Sequence, residues 1–452
     1  MTILATFLLL AAGIGGPPDE DRHLKVARRF ADAMLEYGRD TYGPEKTPLF
    51  ASALDRSTKK IVEGLPLPEG IRKGDRTTTA ANPMYDENFF RLLYALTEAT
   101  ADRRYAAAAD DALKFFFTRC QSPATGLYPW GEHIGWDLRS DGVLHGRDKH
   151  EFFRPWVLWE KCHALAPQES LKLARGLWDH QIADQSTGAF SRHASYSRHK
   201  PEDGHHEFPR HAGFYIRMWS EAHARSRDPV FVQAIETVVN YFARRRKPHG
   251  GFPCQGDSDT IWWDSDLSWA IDVWEASARM PAPLAAKMKE EAGKTDAAFL
   301  KQFAAGLPAT TEDLWASAYG KRSTATLAMI CHERHLQKPQ DGWRRLVLQA
   351  ADLYLSGEAS QSSYPCNSGS AIALMMTAHR LTKEPRYLAR AEVLADAAVA
   401  TYWGEDALPR ATPRNTHYEN ITGADTLALS LVELWSLRRR PSQPMTFSWI
   451  DR

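Results

Sequence analysis

Three residues carry the side chains that transition-metal chemistry asks for. His133 sits in Trp130-Gly-Glu-His133, Glu151 in His150-Glu151-Phe152-Phe153, and His193 in Phe190-Ser-Arg192-His193. Two imidazoles and one carboxylate make a mixed nitrogen and oxygen donor set, which suits Mn²⁺, whereas Ca²⁺ takes oxygen alone. The chain has 17 histidines, so the competing reading is three unrelated loop residues. Only a fold that gathers them decides between the two. The five cysteines (Cys120, Cys162, Cys254, Cys331 and Cys366) are scattered and include no C-x-x-C. They read as small buried residues rather than a disulfide framework or a zinc-thiolate site.

The periodicity beyond residue 85 is helical, with strand-like alternation nearly absent. Leu96-Thr-Glu-Ala-Thr-Ala-Asp-Arg-Arg-Tyr105, Ala222-His-Ala-Arg-Ser-Arg-Asp-Pro-Val-Phe231 and Ala378-His-Arg-Leu-Thr-Lys-Glu-Pro-Arg-Tyr387 share a pattern. In each, a helix ends in charge, an acidic or Pro-bearing turn follows, and an aromatic opens a second helix. Weaker copies turn at Ala166-Pro167 and at Lys338-Pro339-Gln340-Asp341. The spacing, roughly 45–65 residues, is one helical hairpin plus a return loop. Hairpins are expected near 86–118, 151–182, 207–245, 262–304, 313–356 and 367–402, with single helices near 22–42 and 421–439. If the two single helices pack together, about seven hairpins close into an all-α, (α/α)7 barrel; the alternative is an open superhelix.

Such a barrel has one rim of tight turns and one of long loops, near 119–150, 183–206, 246–261, 357–366 and 403–420. His133 and His193 fall on loops leading into the second and third hairpins, and Glu151 at the start of the second hairpin's first helix. Trp130, Trp136, Tyr196, Trp262 and Trp263 share that rim. Aromatic faces interleaved with polar groups suit sugar rings, and these five are the expected substrate contacts; the alternative is that they pack the barrel mouth.

Lys plus Arg equals Asp plus Glu at 56 each, so no global field draws in nucleic acid. Residues 3–12 form a short apolar run before small residues, read as a signal peptide over 1–16; 17–452 then form one catalytic domain, secreted or periplasmic and monomeric. No other stretch approaches the length of a membrane span.

Several segments resemble polysaccharide lyase family 2, the metal-dependent pectate lyases built on an α/α barrel. They are Tyr42-Gly43-Pro44-Glu-Lys-Thr47-Pro48-Leu49-Phe50, Asn88-Phe-Phe-Arg-Leu-Leu-Tyr-Ala-Leu-Thr, Gly126-Leu127-Tyr-Pro-Trp130-Gly131-Glu-His133-Ile-Gly-Trp-Asp137-Leu138, His150-Glu151 and Arg192-His193. The similarity is good over roughly 38–225 and faint beyond. It implies His133, Glu151 and His193 as metal ligands, a divalent transition metal such as Mn²⁺, and Arg192 as the Brønsted base. Two departures stand out: Ala51 replaces an acidic residue, and Glu132 replaces the second Gly of a Trp-Gly-Gly-His segment.

The implied reaction is β-elimination on a uronate polymer, polygalacturonate or a related acidic polysaccharide. The metal and nearby cations would neutralise the C6 carboxylate while a base takes the C5 proton and the C4-linked sugar departs as the C4–O bond breaks. Arg139, Arg147, Lys149, Arg154, Arg198, Lys200 and Arg210 could form a local positive patch, and Lys321 or Arg322 could supply a cation from the C-terminal half. For Arg192 the alternative role is pairing with the substrate carboxylate. Two rival functions remain: a glycoside hydrolase using a carboxyl pair drawn from Asp264, Asp266, Glu207 and Glu419, or a non-catalytic glycan-binding protein.

Overall fold

The computed structural model describes residues 21–199, 207–254, 259–309, 323–357 and 364–452. The signal peptide expected over 1–16, together with Lys200, Lys321 and Arg322, lies outside them.

Two kinds of helix alternate along the chain. Helices α2 (Glu87–Thr100), α6 (Pro209–Ser226), α8 (Trp263–Ser277), α10 (Thr324–Gln337), α12 (Pro365–Thr382) and α14 (Ala424–Arg439) form an inner ring, while the short α4 (Trp159–Leu165) packs on its flanking helices. Helices α1 (Arg22–Tyr37), α3 (Arg103–Arg119), α5 (Pro167–Gly176), α7 (Pro229–Arg245), α9 (Ala282–Gln302), α11 (Asp341–Ser356) and α13 (Pro385–Tyr402) pack outside it. Sequence separates the two sets. In α7 only a stripe is buried, through Phe231, Ala234, Ile235, Val238, Val239 and Phe242. That is the i, i+3, i+4, i+7 spacing of a helix with one covered face. In α14 every residue from Ala424 to Leu437 is buried, as a helix covered on all sides must be.

The repeated turns have one physical basis. Ala101, Arg227 and Lys383 end their helices in the left-handed conformation, with φ of 61°, 60° and 64°. Asp102 and Asp228 then cap the next helix, accepting hydrogen bonds from the Arg104 and Val230 amides. Pro229 and Pro385 fill first helical positions, where an amide proton would have no partner.

The ring closes through its ends. Helix α14 packs on α1, α2 and α12, and Asn88 Nδ2 donates to Thr426 Oγ1 at 2.9 Å between α2 and α14. A short strand pair joins Ala53–Leu54 to Tyr418–Glu419. The α14–α1 contact makes the seventh hairpin, so the chain forms an α/α barrel. Residues 445–452 turn back against the inner helices. Arg91 donates to the Ser448 carbonyl, the Trp449 amide to Glu333, and Arg452 pairs with Asp272 at 2.6 Å.

The second hairpin departs from expectation. Glu151 stands on a short strand, Lys149–Glu151, and α4 begins only at Trp159. Pro155 accounts for this, because a proline disfavours helical conformation in the residue before it. The extended stretch instead buries Phe152 and Trp156 against the core.

Candidate metal centre

Three loops converge on the long-loop rim. The first is pinned by Asn82, whose Nδ2 donates to the Gly131 and Ile134 carbonyls at 2.7 and 3.2 Å. Gly131 has φ of +118°, and a Cβ there would lie 2.6 Å from the Glu151 carbonyl oxygen. Only glycine permits this approach, which delivers Glu132 and His133 beside Glu151. The other two loops form an antiparallel strand pair in which Glu151 is directly opposite His193 and Lys149 opposite Ser195. Strand alternation sends Lys149 and Glu151 to one face and His150 to the other. His150 is buried, with Nδ1 2.8 Å from the Tyr128 carbonyl oxygen.

The structure thus brings the three sequence-selected residues together. His133, Glu151 and His193 each offer a donor atom, and all three atoms lie within 4.8 Å of one another. Glu151 is fully buried, and its Oε2 has no hydrogen-bond partner. Leaving a buried carboxylate oxygen unmatched is costly, so the set fits a cation better than it fits the protein alone. His133 Nδ1 is 3.1 Å from Asp75 Oδ1. A carboxylate there holds the proton on Nδ1 and turns the Nε2 lone pair toward the cluster.

Arg192 Nη1 bridges two carboxylates, 2.6 Å from Glu151 Oε1 and 3.2 Å from Glu132 Oε2. Burial would lower the Arg192 pKa, but Glu151 and Glu132 outweigh it and hold it above the ordinary arginine value. Burial likewise pushes Glu151 up, yet Arg192 and the imidazoles of His193 and His211 hold it well below the usual carboxylate range. Glu132 moves the other way: burial and the neighbouring Glu151 charge raise it. Burial lowers His193; burial also presses His133 down, but the Asp75 hydrogen bond and the charges of Glu151 and Glu132 together raise it.

Beside the cluster a groove of about 450 Å³ is lined by Arg72, Asp75, His133, Arg147 and Lys149 among others. Of the other expected cations, Arg154 is buried against Asp451 at 3.0 Å, and Arg139 pairs with Glu63. Trp262 is half-buried and packs on Phe208 at 4.9 Å, and Phe208 carries the Arg192 guanidinium at 5.3 Å. Trp263 is half-buried beside His249, and Trp136 lies half-buried on a short strand. Tyr196 spends its hydroxyl on the Cys120 carbonyl at 3.1 Å. Trp130 departs from expectation: its ring is fully buried among Phe116, Tyr128, Phe152 and Trp156, so it offers no face to a sugar. The carboxyls weighed for hydrolysis are also buried. Glu207 is held by Tyr241 and Arg245, Asp266 by the Phe252 amide, and Glu419 by Arg76 and His417.

Four residues of this centre were not selected from sequence as site residues: Asp75, Arg72, Glu132 and His211, whose Nε2 lies 3.2 Å from Glu151 Oε1. Glu132 was visible only as a departure from a motif. Asp75 ends a single 3-10 turn, Lys73–Asp75, too short to show a period, and no sequence signal marks it.

Residues 47–234 match the family described as periplasmic pectate lyase. The family resemblance therefore stands over the N-terminal half. Pectate disaccharide-lyase of Dickeya dadantii (strain 3937) is 25% identical over 186 residues, a stretch that makes up 40% of this chain and 33% of that protein. The match thus spans about a third of the length of that relative. Among solved structures, an unsaturated glucuronyl hydrolase specific for heparin aligns with a TM-score of 0.46 and 11% identity, covering 92% of this chain and 98% of that one. Cellobiose 2-epimerase from Bacillus thermoamylovorans B4167 aligns with a TM-score of 0.46 and 8% identity, covering 91% and 98%. Among the described residues, no helix is long and apolar enough to cross a membrane.

Proposed function

We propose that this protein is an exported polysaccharide lyase that cleaves a uronate polymer, polygalacturonate or a related chain, by metal-assisted β-elimination. The observation that carries the reading is the trio of half-buried His133 with buried Glu151 and His193, with an unmatched Glu151 oxygen, inside the stretch that matches the pectate lyase family. These three residues would hold the ion, and their mixed nitrogen and oxygen donors favour Mn²⁺ over Ca²⁺. When bound, a divalent metal supplies Lewis-acid neutralisation of the uronate carboxylate, which acidifies the C5 proton.

The remaining work falls to the chain. Lys149 and Arg147 on the groove wall attract the polyanion. Trp262 and Trp263 offer partly exposed rings for sugar faces, as does Trp136 on the strand between Ala81 and Val143. Arg192 stands against Glu151 and is the group assigned to the C5 side of the sugar. Its raised pKa opposes a neutral guanidine while both carboxylates bear on it, so any proton abstraction by Arg192 requires that pairing to be relieved. Lys321 remains the proposed cation from the C-terminal half.

The test is the ultraviolet absorbance of the unsaturated product from polygalacturonate, followed with Mn²⁺ and again with chelator. Absorbance that rises only with metal supports elimination at this centre. Release of reducing ends with no new absorbance, unaffected by chelation, would turn the assignment to hydrolysis.

A further inference from the structure

We propose that Glu132 is a fourth protein ligand of the metal centre, giving a set of His133, Glu151, His193 and Glu132. The inference rests on the metal-dependent reading above and adds a residue at a position where the resembling family carries glycine.

Position is the first argument. Glu132 is 1% exposed, and its Oε2 lies 3.7 Å from His133 Nε2. Glu151 Oε2 lies 3.7 Å from His193 Nε2 on the other side. The carboxylates of Glu132 and Glu151 meet on a single nitrogen, Arg192 Nη1. A cationic nitrogen between two buried carboxylates marks a place where a cation is electrostatically wanted.

Charge is the second argument. Three carboxyl groups, those of Asp75, Glu132 and Glu151, gather here around the two guanidinium groups of Arg72 and Arg192.

A separate second ion on Asp75, Glu132 and His133 is the competing arrangement, since Glu132 has a donor atom within 4.8 Å of those of Asp75 and His133, whereas Glu151 and His193 group with His133 without it. Both carboxylates hold guanidinium groups, Asp75 that of Arg72 at 2.7 Å and Glu132 those of Arg192 and Arg72 at 3.2 and 3.4 Å; what separates them is the imidazole, whose Nδ1 lies 3.1 Å from Asp75 Oδ1. A carboxylate on the Nδ1 side of an imidazole orients the ring rather than sharing its metal. Glu132 faces the Nε2 side, where the metal would sit.

The experiment is direct binding to metal-stripped protein. Free Mn²⁺ is read by electron paramagnetic resonance, and coordination is read from the visible absorption of the Co²⁺ form. Wild type should bind one ion per chain. Glu132→Gln should weaken Mn²⁺ binding at least about tenfold and change the Co²⁺ spectrum. Glu132→Gly, which restores the family residue, serves as the second variant should the glutamine disturb the fold. Unchanged affinity and spectrum in both variants would overturn the assignment. Weaker binding with an unchanged Co²⁺ spectrum would overturn it too, since Glu132 would then act through charge alone. Two ions per wild-type chain would favour the separate site and sink the proposal. A wild type that binds no ion removes the metal reading itself, an outcome distinct from all of these.

Discussion

Glu151 and His193 stand directly opposite each other on antiparallel strands, with Oε2 of one 3.7 Å from Nε2 of the other. The pairing is a matter of register. A slip of one residue would turn either side chain to the core face, where His150 and Ala194 now lie. The cluster of three is therefore only as sound as this three-residue ladder and the Gly131 turn that brings His133 to it.

Replacing Glu151 tests the centre most directly. Glu151→Gln keeps the shape but removes the charge shared by Arg192 and His211. Losing an outer partner of a ligand costs up to about 100-fold, so losing the ligand itself should lower Mn²⁺ affinity by at least about 100-fold, and elimination should fall by at least about 10²-fold. Calorimetric titration with Mn²⁺ and the absorbance assay check the two separately. Full binding with lost activity would place Glu151 in catalysis rather than ligation.

Arg192 makes a prediction with two opposed signs. Its guanidinium competes with a metal for Glu151 and Glu132. Arg192→Ala should therefore bind Mn²⁺ more tightly than wild type while kcat drops by about 10²–10⁴-fold, the usual worth of a positioned acid or base. The two numbers come from dialysis and initial rates. Tighter metal binding with undiminished kcat would leave Arg192 a structural counter-ion only.

How far the sequence anticipated this molecule follows from what periodicity can encode. Covered-all-round helices such as α14 and one-faced helices such as α7 differ in composition, so the alternating ring was legible, as were turns like Asp228-Pro229. Glu151 was placed on a helix because the stretch 149–158 is too short for a period to distinguish it. The strand pair depends on a partner more than forty residues away. Trp130 looked like a rim residue because its loop is on the rim, yet its ring turns inward to Phe116 and Trp156. Side-chain direction within an irregular loop is set by tertiary contacts such as Asn82 on Gly131, which no local pattern announces.

The two tryptophans should separate core from surface. Trp130→Ala removes a fully buried ring and should cost about 3–5 kcal/mol of stability. Trp262→Ala trims a half-buried ring over Phe208 and should change stability by much less. On the lyase reading it should instead raise KM severalfold for polygalacturonate. Urea unfolding and steady-state kinetics on both variants provide the comparison. An unaltered KM for Trp262→Ala would remove that ring from the substrate path.

Glu87 ties the first two hairpins together and gives the stability a pH dependence independent of the metal centre. Its Oε1 accepts from the Val157 amide at 2.6 Å, while Oε2 is buried without a partner. Burial raises its pKa from 4.5 to about 7. Below about pH 4.5 the carboxyl is protonated in both folded and unfolded chains, and its contribution is fully present. Between about 4.5 and 7 the unfolded chain ionises first, so stability falls as pH rises, by up to ~3 kcal/mol before levelling off. Glu87→Gln keeps the carbonyl acceptor for Val157 and cannot ionise. Its stability relative to wild type should therefore increase from pH 5 to pH 8, measured by urea unfolding at each pH. A difference between the two proteins that is constant with pH would show that Glu87 ionises in the folded chain as readily as in water.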